Sequence, residues 1–398
     1  MIGSISRPKQ TLLMHLIVAC AFLIPLSEFL SVRVLLATVL VALVVKRTKG
    51  SFDRFMTSGW DALLYVFILM AGLIHTDNLT VGWKEIETSL SLLAVPFLIS
   101  GIAPFRKEHL YRILTGFTLG LVLSSLICLI DSWVSFTHTA NVEVFFFDGL
   151  TRVIGLHPTY FAYYVIASIT FGLYLLHYER DHYPSGVVIA VVIFLFFILM
   201  LTGGTSALVS ILFVLAFFVL KFLLDDRSAR KPLLLMLVMA LILFMFAFNE
   251  WSRGGPAERT DAWERLVLWE SALVANPDPI FGVGTGDYKS VLNEYYLSHG
   301  MIQFADSNFN THNQYIATYF ANGLLGLVCL IVLLGRPLYL ATKNGNALGT
   351  IIFFPFLIFG ITEVFLGRYQ GVVFFILLHQ AFTAYIQSNK HSFSLKGV

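Results

Sequence analysis

The feature that most constrains this chain is a succession of apolar runs, each close to the length that crosses a bilayer. They fall at residues 11–27, 32–46, 60–76, 88–104, 110–133, 153–177, 186–202, 205–224, 232–250, 312–334, 346–366 and 370–387. Roughly 20 apolar residues span the ~30 Å hydrocarbon core as a helix. Only helices and closed barrels satisfy their backbone polar groups in lipid. The runs therefore predict an all-α integral membrane protein with about twelve transmembrane helices. Composition agrees, with 57% hydrophobic and 13% charged residues, against roughly 25% charged in soluble domains. A net charge of +2 gives no ground for a nucleic-acid partner; the partner it implies is the lipid bilayer. Cys20, Cys128 and Cys329 sit far apart inside apolar runs, as core residues do, and form neither a disulfide framework nor a metal cluster. The basic residues Arg7 and Lys9 precede the first run without a small-residue cleavage site after it, so that run reads as a first membrane helix.

The chain divides into residues 1–250 with nine spans, a loop at 251–311, and residues 312–398 with three spans. Basic residues set the orientation. With both termini cytoplasmic, the inner connections hold a run from Lys46, Arg47 and Lys49 to Arg336 and Lys343, and the outer ones hold fewer. The long segments 134–152 and 251–311 then lie on the outer side. Within the second, "AWERLVLWESALVA" (262–275) has apolar residues at helical spacing, with Leu266, Trp269, Leu273 and Val274 on one face. Asn276-Pro277 ends that helix. "PIFGVGTGDY" lacks the Gly-Lys-Ser/Thr ending of a phosphate loop and follows no strand, so it reads as a structural turn. "LTGGTS" (201–206) either makes a tight turn or breaks one long helix.

Three outward clusters could carry chemistry. In "RVIGLHPTYFAYYV" (152–165), Arg152 and His157 stand at a helix start, where His157 either caps local backbone groups or meets a ligand. Arg259 and Arg265 stand in the large loop, with Trp269 one turn beyond Arg265. A guanidinium grips phosphate oxygens in a bidentate fork, and nearby acids (Glu258, Asp261, Glu264, Glu270) offer the alternative of surface pairing. In "NTHNQYIATYFANGLLG" (310–326), His312 lies at a helix mouth, where a neutral imidazole could act as a general base. Asn308, Asn310 or Thr311 could cap that helix, Asn313 could orient a substrate hydroxyl, and Gly323 and Gly326 could admit a neighbouring helix. Glu363 is an intramembrane acid that could pair with Arg368, and intramembrane charges are functional candidates by default. No Asp-x-Asp pair stands on the outer side to hold a metal-bound sugar nucleotide.

Taken in order, "RVIGLHPTYFAYY", "ERLVLWESALVANPDPIFGVGTGDY" and "HNQYIATYFANGLLGL" resemble the O-antigen ligase and O-antigen polymerase superfamily of bacterial polysaccharide membrane proteins. The resemblance covers roughly residues 150 to 335. It implies a GT-C-like membrane fold with one large periplasmic loop containing short helices, in the bacterial inner membrane. It also implies transfer of a glycan from undecaprenyl pyrophosphate to an acceptor hydroxyl, such as that of lipid A-core, on the periplasmic face. The reaction would be inverting and need neither metal nor cofactor. By this resemblance His312 matches the essential histidine, Arg265 the basic residue ahead of the tryptophan, and Arg152 a further arginine on pyrophosphate. Family members often carry a basic residue where this chain has Gly203, Gly204, Thr205 and Ser206. Either the amides and hydroxyls of Thr205 and Ser206 bind the anion instead, or Arg152 or Arg368 substitutes.

Three functions follow as alternatives. A ligase would use lipid A-core or another terminal acceptor, and a polymerase would join two lipid-linked repeats. A polyprenyl-lipid transporter or flippase would do no covalent chemistry, and would more often show internal repeats, midplane charges and broken helices.

Overall fold

A computed structural model describes residues 7–44, 50–179, 183–203, 205–225 and 262–394. The expected ninth span at 232–250 and the loop residue Arg259 lie outside the described residues. Among the described residues, six helical segments are long and apolar enough to cross a membrane: 51–75, 107–139, 158–178, 185–202, 314–343 and 369–389. Three further apolar helices are shorter, at 10–23, 206–220 and 347–362. The expectation of about twelve spans is thus met in part. The run at 88–104 is not a full crossing, because the chain forms two half-length helices, α4 (Leu79–Ser89) and α5 (Ser91–Ser100).

The remaining helices are α1 (Arg7–Leu23), α2 (Glu28–Val44), α3 (Ser51–Ala71), α6 (Lys107–Thr139), α7 (Phe147–Thr151), α8 (Pro158–Tyr178), α9 (Ser185–Thr202) and α10 (Thr205–Asp225). After these come α11 (Ala262–Ala275), α12 (Tyr288–Ser298), α13 (Ile302–Asp306), α14 (Gln314–Lys343), α15 (Ala347–Thr362) and α16 (Tyr369–Ser394). α8 and α16 form the centre: 78% of each apolar window is buried inside the protein, against 33% for α9. A helix apolar all round is a buried one, and Val372–Phe382 of α16 is shielded on every side. α9 instead leaves Val187, Ile189, Ile193 and Phe197 exposed, an outer face suited to lipid. α6 and α1 approach closely where Gly116 and Gly120 of α6 face Val18 and Phe22, and a Cβ at Gly120 would lie 1.9 Å from the Phe22 carbonyl oxygen. This small-xxx-small spacing was legible in "GFTLG" but was not read there.

"LTGGTS" resolves as a tight turn: α9 ends at Thr202 and α10 begins at Thr205. The segment after α6 is largely helical, with α6 running six residues past the expected limit of 133 and α7 following. The large loop carries its own small core, built from Leu268, Ala272, Tyr288, Leu292 and Tyr296 and floored by Phe320 and Ala321 of α14. This corrects the expected face of α11. Leu268, Ser271 and Ala272 point inward, whereas Leu266, Leu273 and Val274 are exposed and only Trp269 joins the core edge. The helix is apolar on two sides, so periodicity alone could not choose between them.

At the opposite half from the loop, three helices meet through buried charge. Asp61 of α3, wholly inaccessible to solvent, lies 2.7 Å from Arg336 of α14 and 2.7 Å from His379 of α16. Arg336 also donates to the Ser58 and Thr57 carbonyls. Arg336, expected in an inner connection, therefore lies within α14 and is paired. Removing one partner of a buried ion pair costs about 3–5 kcal/mol, because it strands the other charge. Asp61→Asn should accordingly lower the apparent unfolding temperature in detergent sharply. An unchanged temperature would mean that water, not Asp61, holds Arg336.

Candidate functional site

The turn before α14 is set by its own polar side chains. Asn310 Oδ1 accepts the His312 N–H at 2.7 Å, and the Thr311 hydroxyl donates to the Asn313 carbonyl at 2.9 Å. His312 adopts φ 43°, a left-handed conformation that is uncommon for a non-glycine residue, though His is among those that enter it. Asn313 is the helix cap, its Oδ1 accepting from Tyr315 and Ile316 at 2.9 and 3.1 Å. The cap is thus Asn313, not Asn308, Asn310 or Thr311, and its acceptor oxygen is already used.

Two contacts bring other segments to this turn. Trp269 donates its indole N–H to the Thr311 carbonyl at 2.9 Å, docking α11 on the histidine turn. Gln314 accepts the Leu366 N–H at 2.8 Å and donates to Thr318 at 3.0 Å, clamping the loop between α15 and α16 against the start of α14. Tyr160 of α8 donates to the Val364 carbonyl of the same loop at 3.3 Å, and Tyr164 to the Gln370 carbonyl at 2.9 Å. Glu363 consequently lies 3.7 Å from His312 Nδ1, with their side chains 12% and 24% exposed. That separation is an ion-pair contact rather than a hydrogen bond. No ion pair joins Glu363 to Arg368, so the expected partner is corrected. Arg368 instead lies 6.0 Å above the Tyr160 ring, a cation–π distance.

The electrostatics tie the cluster together. Burial raises the Glu363 pKa, but contact with His312 and the charges of His312 and His157 outweigh it, leaving the carboxyl below its ordinary value. Burial lowers the Arg265 pKa, and the Glu363 carboxylate opposes that shift, so Arg265 lies within electrostatic reach of Glu363. Burial also holds His157 below the ordinary imidazole value, with Glu363 and Asp148 pulling it up and Arg368 and His312 pushing it down. His157, Arg265, His312, Glu363 and Arg368 thus share one field. Arg152 bonds elsewhere, to Asp131 at 3.2 Å and Ser135 at 2.8 Å on α6. The start of α10 is linked to the cluster through Tyr163. This residue bonds the Ser206 carbonyl at 3.3 Å and the Ser210 hydroxyl at 2.9 Å, and its ring stacks on Phe359, four residues before Glu363. Gln314 and Glu363's contact with His312 were not read from the sequence, because both depend on where a loop fifty residues away returns.

The turn "PIFGVGTGDY" has the structural role expected of it. α14 is broken at Asn322 and Gly323, with Gly323 at φ 61° and ψ −161°. The freed carbonyls of Phe320 and Ala321 accept the Val283 and Gly284 N–H groups, both at 2.9 Å. A Cβ on Gly323 would meet the Ile280 carbonyl oxygen at 2.1 Å. Gly323 therefore admits this loop rather than a helix, and Gly326 faces Asn322 and Thr318 of its own helix. The Asp287 carboxylate accepts from the Asp77 and Asn78 amides at 2.7 and 2.9 Å, fixing the turn to the approach of α4. Among the described residues no group of three His, Cys, Asp or Glu side chains is arranged to hold a metal ion.

His157 gives this site a testable pH response. It caps α8, its Nδ1 accepting the Thr159 N–H at 3.3 Å, which only an unprotonated nitrogen can do. The unfolded chain takes up this proton first as pH falls through about 6.5, so stability declines on acidification. The apparent unfolding temperature should fall between about pH 7.5 and about pH 5.5, and fall less in His157→Asn, which caps without titrating. An equal fall in both proteins would remove His157 from the account.

Comparison with known proteins bears on the same residues. Residues 190–331 match the family described as O-antigen ligase; this stretch contains Arg265, Trp269 and His312, whereas His157, Glu363 and Arg368 lie outside it. An uncharacterized protein of Haemophilus influenzae is 28% identical over 127 residues, covering 29% of this chain and 32% of that protein. The match thus spans about a third of the relative's length. Through residues 190–331, and the ordered motifs around them, the chain belongs to the O-antigen ligase and polymerase superfamily.

Proposed function

We propose that the protein is an O-antigen ligase-like glycosyltransferase of the bacterial inner membrane. It moves a glycan from undecaprenyl pyrophosphate to an acceptor hydroxyl, as on lipid A-core, at the periplasmic face. The observation that carries this reading is the shared field of His312, Glu363, Arg265, Arg368 and His157, drawn from four separate segments. Family membership supports glycosyltransferase-like chemistry, and the geometry supplies roles for the residues.

In this reading the acceptor oxygen attacks the anomeric carbon as its proton passes to His312. The bond from that carbon to the phosphate oxygen breaks, and the electron pair leaves with the pyrophosphate. Attack opposite the leaving group inverts the anomeric configuration. Glu363 orients His312 and stabilises the imidazolium that forms, the part a buried carboxylate plays in a base–orienter pair. Arg265 and Arg368 meet the pyrophosphate charge, which grows on the leaving group in the transition state. Trp269 sets the reach of Arg265 by anchoring α11 to the histidine turn. Arg152 and Arg259, with Thr205, Ser206 and Asn313, are secondary candidates for holding the donor or acceptor.

A lipid transporter is the competing class, and two of its signatures are present: a broken helix and a buried charge cluster. The break in α14, however, is closed by loop amides, and Asp61 is matched by Arg336 and His379. Neither stands as an open midplane site.

The test uses purified protein, an undecaprenyl-pyrophosphate glycan, and either lipid A-core or a second lipid-linked repeat as acceptor. The wild type should transfer to lipid A-core, and His312→Ala should lose about 10²–10⁴-fold in kcat. Arg265→Ala should lose about 10²–10³-fold, and Arg265→Lys less, since it keeps charge but not the fork. Transfer only to the lipid-linked repeat would make the protein a polymerase. Equal transfer by wild type and His312→Ala would overturn the base assignment, and lipid movement without transfer would favour the transporter.

A further inference from the structure

A second polar space lies behind the wall that carries Glu363. It is lined by Tyr65 of α3, Glu85 and Ser89 of α4, and Gln314, Thr318 and Asn322 of α14, with Val364 and Leu366 closing one side. Its empty volume, open mouth included, is about 430 Å³, and the space open to the centres of water molecules is about 40 Å³. Since one water needs roughly 10–15 Å³ by that measure, the inner space holds about three.

The lining chemistry is specific. Thr318 links the Gln314 amide at 3.0 Å to the Tyr65 hydroxyl at 3.4 Å, and Asn322 donates to Thr285 at 2.8 Å. Asn322 is only 4% exposed, yet its Oδ1 has no hydrogen-bond partner. A buried acceptor without a donor is costly unless something supplies one. No arginine or lysine lines the cleft, and its one acid, Glu85, is 3.1 Å from Lys289. These groups suit a neutral, hydroxyl-bearing ligand and give a phosphate nothing to bind. Tyr65 and Tyr288 add two ring walls, a common complement to polar groups in ligand clefts.

We propose that this cleft is the acceptor-sugar subsite, in which the hydroxyl-bearing edge of one sugar ring replaces about three waters and donates to Asn322. The proposal rests on the glycosyltransferase reading above. The arrangement separates the substrates: Arg265, Arg368 and His157 share the field of Glu363, while the cleft lies behind Gln314 and the 364–366 wall. Gln314 belongs to both, since it lines the cleft and clamps the loop that bears Glu363, two residues from His312. Acceptor recognition and the base would thus be coupled through one side chain. A ligase or a polymerase would use the cleft alike, because both accept on a sugar hydroxyl.

Ser89→Leu fills the cleft from α4 without touching the His312 cluster. With donor and acceptor titrated separately, it should raise the KM for acceptor about tenfold or more, as losing one or two hydrogen bonds does, and leave the donor KM unchanged. Methyl glycosides of glucose and galactose should compete with acceptor and not with donor in the wild type. Should Ser89→Leu fail to fold, Glu85→Gln keeps the shape of the cleft and should raise the acceptor KM several-fold. A raised donor KM would assign the cleft to the donor glycan and overturn the proposal. Unchanged KM values in folded variants, with transfer still lost in His312→Ala, would overturn it and leave the glycosyltransferase reading intact. Absence of transfer by the wild type to either acceptor would remove both.

Discussion

Two backbone carbonyls in the middle of α14 hold the architecture together. The helix breaks at Asn322–Gly323, and within a membrane domain freed backbone groups must find partners inside the protein. Those of Phe320 and Ala321 find them in the loop amides of Val283 and Gly284. That requirement fastens the loop domain to the bundle, and Phe320 and Ala321 then floor the loop's own core. Once the loop is seated, α11 has little freedom. Its buried side faces that core, and Trp269 reaches the Thr311 carbonyl. The position of Arg265 is therefore a consequence of a backbone defect some fifty residues away, closed by hydrogen bonds.

Around that joint the protein keeps its charges in two separate groups. At one end, Glu363 sits with His312, His157 and Arg265, partly exposed and within reach of a ligand. In the other half, Asp61 is sealed between Arg336 and His379 with every member buried or nearly so. Such a sealed cluster is satisfied internally and ties α3, α14 and α16 together. The exposed cluster is held less tightly, since its closest contact is 3.7 Å. Catalytic contacts commonly tighten only when substrate arrives, and the strained left-handed backbone of His312 belongs with that kind of site.

Much of this could be read from the amino acids. The apolar runs announced a membrane protein, and the order of the three polar motifs pointed to the superfamily. "PIFGVGTGDY" was rightly taken as structural, since it lacks the residues that a phosphate loop requires. His157 and His312 were both legible as helix-mouth residues. Other features were misread for definite reasons. α11 is apolar on two sides, so its inward face depended on which side met Tyr288 and Tyr296. Glu363 was assigned to Arg368, its neighbour in sequence, because local distance was the only measure at hand. Gly323 was read as a helix contact, although its partner is a loop backbone.

The sequence by itself determined the solvent this chain folds in, the helical class, and which residue types carry chemistry. Each of these depends on composition and local periodicity. Only the tertiary structure decided that Gln314 clamps the Glu363 loop, that Trp269 carries Arg265 to the histidine turn, and that Arg152 bonds to Asp131. It alone disclosed the polar cleft behind Gln314, whose walls come from α3, α4, α14 and the loop after α15. The physical reason is that hydrogen bonds and ion pairs act over a few ångströms, while the partners here are separated by tens to hundreds of residues. Chain folding, and not local pattern, sets those distances.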